Sequence, residues 1–72
     1  MDKKQLKKDW LNFLIDINKN GTDVAKEIGT TQQNLNQKIN NGSIKYLELS
    51  EIVEKYGYSI KIHKGIQRND DN

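Results

Sequence analysis

Apolar residues recur at helical spacing in four stretches of this chain, and then the period changes. Leu6, Trp10, Phe13, Leu14 and Ile17 fall at offsets 0, 4, 7, 8 and 11, one stripe of an amphipathic helix. Asp2 can cap its start, and Asn18, Asn20 and Gly21 end it. Thr22 can cap a second, short helix to about Ile28, with Val24, Ala25 and Ile28 pointing one way and Gly29 as its stop. Thr30 or Thr31 then caps a third, which contains Leu35 and Ile39 and closes at Asn40, Asn41 and Gly42. Ser43 to Lys45 connects it to a fourth, expected over about Tyr46 to Tyr56 and capped by Gly57. There Tyr46, Leu49, Ile52, Val53 and Tyr56 share a face. Beyond it Tyr58, Ile60 and Ile62 alternate with Ser59, Lys61 and His63, the period of a strand. The pattern predicts no other strand. Gly65 to Asn72 is polar and reads as a disordered tail.

Composition narrows the class. At 72 residues the chain is expected to be one domain, and a marginal one, because so small a fold buries only about 60% of its unfolded surface. With no cysteine there is no disulfide framework, no thiolate zinc site and no thiol nucleophile. No apolar run is long enough to span a membrane and no signal-peptide core is evident, so the expectation is a cytoplasmic protein without a membrane partner. Twelve basic against ten acidic residues give +2, too weak a field for a polybasic tail; any anion binding must come from local placement. Lys3, Lys4, Lys7 and Lys8 crowd the start of the first helix, where they oppose its dipole. They read either as a solvated face or as a contact for phosphates or another anionic surface.

The third helix carries the functional signal. Only Leu35 and Ile39 anchor it, and its exposed face is almost all carboxamide: Gln32, Gln33, Asn36 and Gln37, with Asn34 beside them. A surface helix built for stability would carry Glu–Lys pairs instead. Gln and Asn present the paired donor and acceptor that match adenine N6 and N7 in the major groove. Two helices joined by a tight turn containing glycine, the second entering the major groove, is helix-turn-helix geometry.

The run from Ala25 to Gly42 resembles the helix-turn-helix of the phage Cro/cI repressors, the XRE-type family. Ala25 and Gly29 stand four apart, and Leu35 follows six beyond the glycine, as the family motif requires. The motif covers about 20 residues, and the four-helix pattern carries the resemblance to about residue 57. The resemblance implies that Gln32 reads an adenine near the outer end of a half-site and that Gln33 and Gln37 read base pairs further in. Asn36 occupies a position that also reads bases in one register of the family. Thr31 would meet a thymine methyl or a phosphate, while Lys38, Lys45, Asn40 and Asn41 are candidates for backbone contacts. Two departures stand out. Gly21 occupies a position where the family often has a phosphate-binding Gln, so Thr22 and nearby backbone N–H groups would substitute. Lys38 stands where one branch has a core leucine, which leaves the anchoring to Ile39.

A lone strand needs a partner, and its own copy across a two-fold axis is the simplest one. Tyr58, Ile60 and Ile62 are therefore expected to form a homodimer interface; the alternative is a strand folded back unpaired on the fourth helix. The expected fold is mainly α: a compact four-helix helix-turn-helix domain over residues 1–64, with one C-terminal β-strand at 58–63 and a tail at 65–72. The expected function is sequence-specific binding of double-stranded DNA by a small repressor-like transcriptional regulator of phage or mobile-element type, with A·T-rich palindromic half-sites.

Other chemistry finds little support. His63 has no partner at ligand spacing, Ser43, Ser50 and Ser59 have no base in view, and the five glycines form no phosphate loop. No enzyme, metal, cofactor or small-molecule effector is expected. Glu48, Glu51 and Glu54 read as a solvated face, Trp10 as core, and Leu11 and Ile15 as boundary residues. Two rival functions stay open: a protein-interaction module of antitoxin or anti-repressor type, and a weakly specific architectural or plasmid-maintenance DNA binder.

Overall fold

The computed structural model describes residues 3–61 and 64–69. Four helices, α1 (Lys3–Ile17), α2 (Gly21–Ile28), α3 (Gln32–Asn41) and α4 (Tyr46–Glu54), are followed by strands β1 (Tyr58–Lys61) and β2 (Gly65–Arg68). Residues from the stripe of each helix meet in one core: Leu6, Trp10 and Phe13 from α1, Val24 and Ala25 from α2, Leu35 and Ile39 from α3, and Leu49, Ile52 and Val53 from α4, while Tyr46, expected on the same face, is exposed at the start of α4. Tyr58 of β1 closes it. Phe13 is the hub of an aromatic cluster, tilted against Trp10 at 5.4 Å and edge-on to Tyr56 at 5.8 Å and Tyr58 at 5.0 Å. Such tilted and edge-on pairs contribute beyond the area they bury.

Helix ends follow local chemistry. Asn18 takes a left-handed conformation, φ 57°, and ends α1. Asn20, not Thr22, caps α2: its side-chain oxygen accepts from the Asp23 N–H at 2.9 Å. The Asp23 carboxylate accepts from the Asn20 N–H in return, a reciprocal capping box. Thr22 lies one position inside the first turn and is half-buried. Gly29, at φ 81°, ends α2 as expected, and only Thr30 and Thr31 separate it from α3. At the fourth helix the expected end moves. The helix stops at Glu54, Lys55 stays right-handed, and Tyr56 and Gly57 form the turn into β1.

The largest correction concerns the C-terminal segment. The expected single strand is one arm of an antiparallel hairpin, with Tyr58 opposite Arg68 and Ile60 opposite Ile66. Residues Gly65–Arg68, read as disordered tail, are β2. Ile66 packs against the core from this strand, which lies along α1 while β1 lies along α4. The Ser59 hydroxyl donates to the Asn69 side-chain oxygen and the Asn69 N–H donates to the Gly57 carbonyl at 2.8 Å, tying the open end of the hairpin. Gly65 is buried at φ 73°, and a Cβ there would run into the Asp9 carboxylate of α1. The expected cap Asp2, and Ile62, His63 and Asp70 to Asn72 of the expected strand and tail, lie outside the described residues. Among the described residues, no helix is long and apolar enough to cross a membrane.

Candidate nucleic-acid interface

Helix α3 is fixed at both ends by local bonds and in the middle by two side chains. Thr31 caps it, its hydroxyl oxygen accepting from the Asn34 N–H at 3.1 Å. The Asn34 amide turns back and donates to the Thr30 hydroxyl at 2.9 Å, so Asn34 serves the turn. Gly42, at φ 67°, closes the other end, its N–H directed to the Ile39 and Lys38 carbonyls. Leu35 and Ile39 are almost wholly buried, at 3% and 1% exposure.

The remaining amides face outward. Gln32, Gln33, Asn36 and Gln37 are exposed, and none spends its side chain on a hydrogen bond within the described residues. At about 100° per residue, Gln33 and Gln37 stand roughly opposite the Leu35–Ile39 anchors. Gln32, Asn36 and Asn40 fall at i, i+4 and i+8 along one flank. This flank borders a groove shared with Lys7, Leu11 and Leu14 of α1 and with Gly21 at the start of α2. The Lys3 stem of α1 lies over Gly42 at the end of α3. Two lysines from the basic start of α1 are therefore brought beside α3. Sequence spacing alone could not pair them with it, because their placement depends on how α1 packs along α3.

The opposite flank differs. Asn34 and Lys38 border a groove that also holds Glu27, Glu48, Glu51 and Lys55. Lys38 is half-buried and its ammonium bonds Glu48 of α4 at 2.8 Å, an ion pair that holds α3 to α4. Lys38, an expected backbone contact, is thus also engaged within the fold. Lys45 is exposed at the N-cap position of α4, where no side chain caps the helix. Asn41 is exposed beside Gly42.

The expected dimer residues scatter. Tyr58 is only 6% exposed and belongs to its own subunit's core. Ile60 is half-buried and pairs with Ile66 within the chain, and Ile62 lies outside the described residues. The unpaired strand that argued for a dimer does not exist, because β2 supplies its partner. Elsewhere Leu11, Ile15, Tyr46 and Leu47 are exposed apolar residues. No family model matches the chain, and comparison with curated proteins and with solved structures also finds no match.

Proposed function

We propose that this protein binds double-stranded DNA sequence-specifically, α3 entering the major groove, as a small cytoplasmic transcriptional regulator of the Cro/cI type. One observation carries the reading. Gln32, Gln33, Asn36 and Gln37 are exposed on a helix locked at both ends, with amides not engaged inside the described fold. Preset amide donors and acceptors on a rigid helix are what direct readout of adenine needs. Stability alone does not call for them, since the helix is anchored by Leu35 and Ile39 and by its caps. The resemblance over Ala25 to Gly42 supports the same reading.

The mechanism is passive binding. A homodimer would set two half-sites about 34 Å apart, one helical turn. Each strand of a two-stranded hairpin keeps one unpaired edge, so pairing across a two-fold axis is still available beside Ile60. The test is selection of bound duplexes from a random pool at about 150 mM salt, where weak nonspecific binding is suppressed. An enriched palindrome with adenines in each half-site supports both readout and dimer. A half-site without symmetry supports readout and removes the dimer. Equal recovery of all sequences from a folded protein removes the proposal.

A second reading, a protein-interaction module, draws on the exposed Leu11 and Ile15, which lie together on α1 at 50% and 75% exposure. It predicts no enriched DNA sequence.

A further inference from the structure

The two flanks of α3 are chemically unlike. Among the described residues, the flank toward α1 carries Lys7, Gln32, Asn36 and Asn40 and no carboxylate. The flank toward α4 carries Glu27, Glu48 and Glu51 with Lys38 and Lys55; Lys38 is paired with Glu48, and Glu27 with Lys19 at 3.5 Å. A helix in a major groove has a phosphate wall on each side, and each wall is a row of anions. With its carboxylates outnumbering its lysines, the α4 flank offers such a wall no net attraction, whereas the lysines of the α1 flank attract one.

From this asymmetry we infer a division of labour on α3, resting on the DNA-binding reading above. One DNA strand's phosphates run along the α1–α3 groove, held by Lys7 and, at the end of α3, by Lys3. Gln32, Asn36 and Asn40 lie on this backbone side and donate amide N–H groups to phosphate oxygens. Base reading falls to Gln33 and Gln37, the residues directed away from the anchors. This moves Gln32 and Asn36 from base contact to backbone contact. It also gives the lysine-rich start of α1 a function in place of a merely solvated face.

Phosphate contacts lower affinity for all sequences alike when removed, whereas base contacts change preference at one position. The experiment measures affinity against salt concentration, and sequence preference, for the full chain and four exposed-site variants. Lys7→Gln should flatten the slope of log affinity against log salt by about 0.9, the share of one phosphate, and leave the preferred sequence unchanged. Lys55→Gln, on the acidic flank, should leave the slope as it is. Asn36→Ala should weaken binding several-fold without changing preference, and Gln37→Ala should relax one base position. A Lys7→Gln protein with the parent slope, or an Asn36→Ala protein with a relaxed base position, overturns the inference while the parent reading stands. An unmodified chain that prefers no sequence overturns both. Circular dichroism of each variant confirms that folding is intact.

Discussion

Helices α3 and α4 are neighbours of nearly equal length, 10 and 9 residues, yet they are held in place by different means. Helix α4 buries Leu49, Ile52 and Val53 and has no side-chain bond at its N-cap. Helix α3 buries only Leu35 and Ile39 and is capped by Thr31 and Gly42. One is secured by its core face and can do without caps; the other gives up core contact and is secured at its ends. Their outer faces differ in the same sense, with Glu51 and Glu54 on α4 and uncharged amides on α3. A helix kept for its outer surface needs rigidity from elsewhere, and caps supply it without occupying that surface.

Four measurements press on this contrast. The largest effect should come from Ile39→Ala, which removes half of α3's anchorage and should cost about 3 kcal/mol by chemical denaturation. Native-state hydrogen exchange should then show α3 opening ahead of α4, whereas Val53→Ala should lower protection throughout the core. Equal loss in both helices after Ile39→Ala would remove the distinction. Next, Gln37→Ala should weaken binding to a selected site by about 1–3 kcal/mol in titration, yet change stability by less than about 0.5 kcal/mol. Glu51→Ala, in the same assays, should do neither. Third, Thr31→Ala should destabilise the fold by about 1 kcal/mol, while Lys45→Ser, which supplies a cap α4 lacks, should stabilise it by a similar amount. A neutral Thr31→Ala would mean that the cap does not hold α3. The smallest effect is the coupling of Lys38 to Glu48. A double-mutant cycle should give about 0.5 kcal/mol, since both side chains are partly exposed, and less in high salt.

Much of this fold is legible in the chain because its helices are amphipathic and punctuated. Leu6, Trp10 and Phe13, or Leu49, Ile52 and Val53, announce their burial by spacing, and Gly29 and Gly42 mark turns that require positive φ. The hairpin was illegible for a physical reason: β2 contributes a single apolar side chain, Ile66, too little for a period of two to show. Asn20 reads as the end of one helix yet begins the next, because Asn followed by Gly signals both. At the site, the amides of α3 could be found from composition and spacing. The basic and acidic flanks could not, since Lys7 beside Asn36, or Lys38 on Glu48, arises only when separate helices pack.

The contact between the first helix and the final hairpin bears on how the chain assembles as it is made. Phe13 receives its edge-on partner Tyr58, and Asp9 its close neighbour Gly65, from the far end of the sequence. Helices α2 and α3, by contrast, adjoin in sequence and pack on each other. On a ribosome the α2–α3 pair can form early, while α1 waits with its aromatic ring uncovered until the hairpin emerges. Closing so long a loop carries the larger entropic cost, so α3 should be shaped before the domain that holds it is complete.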